Sequence, residues 1–243
     1  MIWRRHRRTG PRHTPEQVAA TWQVASELLD YPDDRLVERL DAGGLFRDAR
    51  RTSIDFALEG GAIDTDGAGT LLTTWQCLPL LRTAATALPG ELGSGLLDVI
   101  GWLADTDLQV AQTRYVDTFD VTRRCALHLT YYSAGDTRRR GVELVRIKQT
   151  YQSAGVELGD VELPDHLCVV LEFGAAYDLD RAWRLLCDHR VGVELLNRAL
   201  QQKDSPCHGA LAAVRATLPE LDGTDEEALA RLIAQGPPTE EVG

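Results

Sequence analysis

The sequence predicts an all-α protein folded as a single compact multi-helix domain. Three observations carry that expectation. Apolar residues recur at steps of three and four from Thr14 to Leu218, the period of a helix face. No stretch sustains the strict alternation of a half-buried strand. Hydrophobic residues make up 44% of the 243, enough for a substantial core and far from a disordered composition.

The elements follow in order. Thr14-Pro15-Glu16-Gln17 reads as an N-cap, a proline at the first helical position and a capping-box glutamine. The helix it opens places Val18, Trp22, Ala25 and Leu29 on one face, and Pro32 stops it. Leu36, Val37 and Leu40 predict a short second helix, ended by Gly43-Gly44, and Leu45 to Leu58 a third, ended by Gly60-Gly61. Asp64 to Gly69 reads as a loop. Thr70 to Leu88 predicts a helix with Leu71, Leu72, Trp75, Leu78 and Leu81 on its apolar face and Pro79 as a kink. After Pro89-Gly90, Leu96, Leu97, Ile100 and Leu103 form a short stripe. Asp105 to Asp107 caps a helix that carries Leu108, Ala111, Tyr115 and Phe119.

A polar break, Asp120 to Arg124, precedes an apolar run from Ala126 to Tyr132 and then the turn SAGDTRRRG. Helix resumes from Gly141 to Gly155, with Leu144, Val145, Lys148 and Tyr151 on one side. Val156 to Leu163 is a loop. Pro164 and Asp165 fit a first helical turn, with Asp165 as the cap, and the nearly all-apolar helix to Tyr177 belongs at the centre of a bundle. Asp178 to Gln202 reads as one long helix and Cys207 to Leu218 as another, separated by Asp204-Ser205-Pro206. The expected organisation is a basic, disordered leader over 1–13, a helical domain over 14–220, and an acidic tail over 221–243, partly helical or disordered.

Charge narrows the function classes. The net charge is −11, and five arginines (Arg4, Arg5, Arg7, Arg8, Arg12) stand in the first 13 residues without an acid among them. The remaining 21 basic and 37 acidic side chains leave a body at −16, which argues against nucleic acid and favours a basic peptide partner. WRRHRR lacks the continuous apolar core of an export signal after it, and no run reaches the ~18 apolar residues of a membrane span, so a cytoplasmic protein without stable membrane association is expected. Five scattered cysteines suit reduced thiols.

No phosphate loop, dinucleotide fingerprint or nucleophile elbow occurs. Cys125 with His128, and Cys187 with His189, come nearest to metal-ligand spacing, but C-x-x-H and C-x-H are unlike and lie in apolar runs, so buried thiols are the better reading. Arg123, Arg124, Arg138, Arg139 and Arg140 leave open an α-helical enzyme that grips a phosphorylated or nucleotide substrate, although no nucleophile, base or metal ligand stands near them.

The central stretch Tyr115 to Gly141 carries Y-x-x-x-F-D, an apolar run and G-[DE]-x-R-x-R-G, through Tyr115, Phe119, Asp120, Gly135, Asp136, Arg138, Arg140 and Gly141. Downstream, Glu162 to Phe173 begins E-x-P-D-H, and upstream stands ELLDYPDD, Glu27 to Asp34. Together, in this order, these blocks resemble the NarJ group of molybdoenzyme assembly chaperones within the wider TorD/DmsD family, from about Ala25 to Gln201.

The resemblance implies a helical bundle that is not an enzyme. It implies a chaperone that binds the N-terminal segment of the apo catalytic (alpha) subunit of respiratory nitrate reductase. The molybdenum cofactor would then be inserted into that client, with no cofactor kept by the chaperone, and membrane docking would be delayed until maturation. The client-binding residues it suggests are Tyr115, Phe119, Asp120, His128, Asp136, Arg138, Arg140, Glu162, Asp165 and His166. Asp136, Arg138 and Arg140 are expected to form a charged network at the turn near Gly141, the arginines reaching away from the helix start toward acids elsewhere. Arg139, where the family often has an acid, and Cys168, where a proline is frequent, are departures that leave the client open.

Overall fold

The computed structural model describes residues 12–32, 74–134, 138–158 and 162–235. The expected helices around Leu36–Leu40 and Leu45–Leu58, the loop at 64–69, Leu71, Leu72, Gly135 and Asp136 lie outside the described residues. The described residues fold into eleven α-helices and contain no strand. Helix α1 (Pro15–Leu29) begins with the capping box read from the sequence: Thr14 Oγ1 accepts from Gln17 N at 3.3 Å, and Gln17 Oε1 accepts from Thr14 N at 3.1 Å. Val18, Trp22, Ala25 and Leu29 are all fully buried. Thr21, Val24, Ser26 and Leu28 are buried as well, because α1 is enclosed by several neighbours rather than laid on a surface.

Helices α2 (Thr74–Ala87) and α3 (Gly90–Ala104) pack on each other and on α1. The stripe expected around Leu96 is thus a full fifteen-residue helix. Helix α4 (Leu108–Tyr115) stops before Phe119, which sits in a π-turn over Val116–Asp120. There Val121 N reaches Val116 O at 3.0 Å, and the Thr118 hydroxyl bonds Arg114 O at 2.7 Å. A 3₁₀ turn, Arg123–Cys125, and a single turn α5 (Tyr131–Ala134) bracket an extended run. Helix α6 (Arg138–Ser153) opens at Arg138, three residues before the expected start. Its buried face holds Ile147 and Tyr151, whereas Val145 and Lys148 are exposed, contrary to the face read from the sequence. Gly155, with φ +78°, ends it as expected, since only glycine adopts that angle without a steric cost.

Helix α7 (Leu167–Ala176) is the central element: every residue from Leu167 to Gly174 is buried, and α1 and α8 flank it. A side chain at Gly174 would collide with the Trp22 ring, so α1 and α7 meet across a position with no side chain. The expected single helix over Asp178–Gln202 is two, α8 (Leu179–Asp188) and α9 (Arg190–Gln202), with His189 as the bend between them. The reason is the next residue. Arg190 is buried and its Nε donates to Pro219 O at 3.0 Å, which turns the chain inward at this point.

Helix α10 (His208–Ala216) crosses α3 with Gly95 against Gly209, and a Cβ on Gly95 would lie 2.5 Å from the Gly209 carbonyl oxygen. Helix α11 (Gly223–Gln235) packs on α9 through buried Leu229. No helix among the described residues is long and apolar enough to cross a membrane.

Candidate functional site

The run from Ala126 to Thr130 cannot be helical, because it pairs with another segment. Leu167 N donates to Leu127 O at 2.7 Å, Leu129 N to Asp165 O at 3.0 Å, and His128 and His166 form an isolated antiparallel bridge. That pairing holds His166 in an extended conformation and moves the start of α7 from Pro164 to Leu167. Asp165 therefore does not cap its own helix. Its carboxylate is fully buried and accepts from Thr130 N at 3.1 Å and Thr130 Oγ1 at 2.5 Å.

Arg140 approaches from α6. Its Nη2 lies 3.8 Å from Asp165 Oδ2, and its Nε donates to Thr130 Oγ1 at 3.2 Å. Thus Arg140 leaves the positive end of its helix for an acid elsewhere, as the dipole requires. His128 Nδ1 stands 3.3 Å from Asp165 Oδ1 without forming a hydrogen bond, and the two histidine rings are 5.3 Å apart. Burial by itself would raise the Asp165 pKa. His128, the Thr130 donors and the Arg140 charge overcome that and hold it at about 2, so the group is a carboxylate at neutral pH. The Tyr151 hydroxyl donates to Pro164 O at 2.7 Å and anchors the same segment from α6.

The first turn of α7 holds Cys168, and a cleft lies where the end of α1 meets α3 and α4. Leu28, Trp102, Leu103 and Tyr115 line it, together with Glu27, Asp30 and Arg114. Tyr115 makes an edge contact with Tyr31 at 5.3 Å and a tilted one with Phe119 at 4.7 Å, and burial pushes its phenol well above the ordinary value. Cys168, in that first turn, is wholly buried and its thiol is pushed far up, by burial first and then by the carboxylates of Asp30, Glu172, Glu27 and Glu162. Burial also raises Cys125 and takes Cys207 to about 12. These thiols stay protonated and unreactive at neutral pH. No group of three or more metal-ligating side chains gathers among the described residues.

The predicted site residues thus fall into two adjoining groups. His128, Arg140, Asp165 and His166 converge on one buried cluster, and Tyr115 and Phe119 line or support the cleft. Glu162 is half-buried and its Oε1 accepts from Leu163 N at 3.0 Å. Asp120 and Arg138 are exposed and join neither group in any contact described above, and Asp136 lies outside the described residues.

A family model for the nitrate reductase delta subunit matches residues 84–213, just over half of the chain and the stretch that holds most of both groups. The chain belongs to this family. A model for Porphyromonas-type peptidyl-arginine deiminase matches residues 17–82, about a quarter of the chain and largely outside the described residues, too little to show membership. Among relatives, the chain is 40% identical to the nitrate reductase-like protein NarX of Mycobacterium tuberculosis over 155 residues, 59% of this chain and 24% of that protein. It is 36% identical over 91 residues to the probable nitrate reductase molybdenum cofactor assembly chaperone NarJ of Bacillus subtilis, 37% of this chain and 50% of the relative. It is 34% identical over 122 residues to the nitrate reductase molybdenum cofactor assembly chaperone NarJ of Escherichia coli K12, 50% of this chain and 52% of the relative. The matched stretches span between a quarter and about half of these relatives.

Sequence reasoning missed three features of the structure. Glu27 and Asp30 went unread as site residues because ELLDYPDD looks like an ordinary helix end. Thr130 carried no signal at all. The third is a second buried acid, Glu194, ringed by Arg190 Nη1 at 3.6 Å, Arg198 Nε at 3.2 Å and Arg215 Nε at 2.6 Å. Its signal was present in the sequence: Arg190, Glu194 and Arg198 stand four apart on one helix.

Proposed function

We propose that this chain is an assembly chaperone for a nitrate-reductase-type molybdoenzyme and not an enzyme. In this reading it binds the N-terminal segment of the apo catalytic subunit as an amphipathic helix, which lets molybdenum cofactor enter the client and delays membrane docking until loading is complete. The cofactor is cargo for the client and is not retained. The names of the relatives support the role, and the observation that carries the binding mode is the cleft: an aromatic and aliphatic wall beside the carboxylates of Glu27 and Asp30. An apolar helix face would fill the wall while a basic side chain meets the acids. The Asp165 cluster fixes the start of α7, so its role is positioning.

The arginine-enzyme alternative gains nothing from the geometry. Arg140 is committed to Asp165 and Thr130, while Arg123, Arg124, Arg138 and Arg139 lie exposed without a reacting group beside them. Titration of the folded chain with a synthetic N-terminal peptide of the catalytic subunit tests the reading. Binding that weakens with salt, and falls about ten-fold in Glu27→Lys, supports it. Wild-type affinity in Glu27→Lys and in Trp102→Ala would remove the cleft from the proposal.

A further inference from the structure

One helix face remains unaccounted for. Helix α6 carries five cations, Arg138, Arg139, Arg140, Arg146 and Lys148, against the single acid Glu143, in a chain of net charge −11. Arg140 turns inward. The outward face presents Arg138, Arg139, Val142, Val145 and Arg146, all exposed, with Val142 at 54% and Val145 at 56%. Arg138, Val142 and Val145 follow one another at steps of four and three, which aligns them along one side of the helix. Two arginines here stand at the positive end of the helix dipole, where cations are disfavoured, so an acid brought to this end would gain from both the arginines and the dipole.

Helix α11 has the complementary face. It packs inward through Leu229 and presents Glu226, Glu227, Ala230 and Ile233 outward, with Ile233 51% exposed. Glu226, Ala230 and Ile233 repeat the same steps of four and three. Set side by side in parallel, the two faces pair Arg138 with Glu226, Val142 with Ala230 and Val145 with Ile233. The rival occupant, an anionic bilayer, is a plane. It would have to meet a chain of net charge −11, whereas a helix about 10 Å wide meets the basic stripe alone.

We propose that α6 docks α11 of a second copy of this chain. This self-association is independent of the chaperone reading. One helix pair is well below the area of a stable interface, so the association is weak, dependent on concentration, and weakened by salt. Sedimentation velocity over a concentration series at low and high salt tests it on the full chain. Two variants break opposite sides of the pair: Arg138→Glu on α6, and Glu226→Lys on α11. Circular dichroism checks that each keeps its helical content.

The expected result is reversible, open-ended head-to-tail association of the wild type, weakened at least ten-fold in either variant alone. Association should return when the two variants are mixed, because each then contributes one intact face. A wild type that stays monomeric throughout, or variants that associate as the wild type does, would overturn the proposal. So would wild-type binding to phosphatidylserine vesicles that is lost in the α6 variant and kept in the α11 variant, which would assign the face to a bilayer.

Discussion

Among the described residues, two buried carboxylates face arginine, Asp165 and Glu194, and they are held in different ways. Glu194 sits mid-helix and is ringed by guanidinium groups from α9 and α10; Arg198 and Arg215 are 46% exposed at their side chains, so water screens much of the attraction. Asp165 lies between helices, is fully buried, and accepts from a backbone N–H and a hydroxyl thirty-five residues away, with His128 and Arg140 beside it. The first arrangement is a set of local pairs that strengthens a helix contact. The second adds to the Leu127–Leu167 and Leu129–Asp165 backbone hydrogen bonds in joining two chain segments far apart in sequence.

The largest expected effect tests that asymmetry directly. Asp165→Ala strands the Thr130 N–H and leaves Arg140 without its acid, and should cost about 3 kcal/mol, or roughly 10 °C in Tm, by thermal melts. A loss no greater than that of Glu194→Ala would erase the distinction between the two sites.

The pH dependence comes next. Asp165 has a folded pKa near 2, below its ordinary value, so its contribution is complete above the usual carboxylate range and is lost as pH falls from about 4 toward 2. That amounts to about 2 kcal/mol, seen as an acid limb in the stability curve that Asp165→Asn should flatten.

Glu194→Gln should cost about 1–2 kcal/mol in denaturant titrations, chiefly because Arg190 is buried beside it and loses its charge partner. The smallest effect belongs to Arg198→Ala, below about 1 kcal/mol and diminishing with salt, since this guanidinium is half in water. A larger loss there would mean that the Glu194 pairs are not screened.

The same contrast explains what was legible beforehand. The capping box at Thr14, the central place of the apolar helix after Asp165 and the glycine stop at Gly155 rest on neighbours within one or two turns, and the sequence displays such neighbours side by side. The all-helical class follows from the same local periods. Asp165 was misread because its proximity to Pro164 imitates a helix start, whereas its actual partners, Thr130 and Arg140, are brought to it only by the pairing of 127–129 with 165–167. The division at His189 was invisible for a similar reason: a run of helix-forming residues conceals a bend imposed by Arg190 reaching Pro219. The face of α6 was misassigned because valine at 145 reads as core, and nothing in periodicity says that this helix is buried along so narrow a strip.

The crossing of α3 and α10 has a consequence for how this sequence can change. Gly95 and Gly209 each occupy the space that a side chain on the other would need. Alanine at either position obstructs the crossing, and no compensating change at the opposite glycine can make room, because glycine is already the smallest residue. Mutational drift at these two sites therefore has nowhere to go unless the helices themselves separate. Relatives that keep this helix spacing should retain both glycines, and a lineage that has lost one should show altered packing between the two helices rather than a second substitution that restores it.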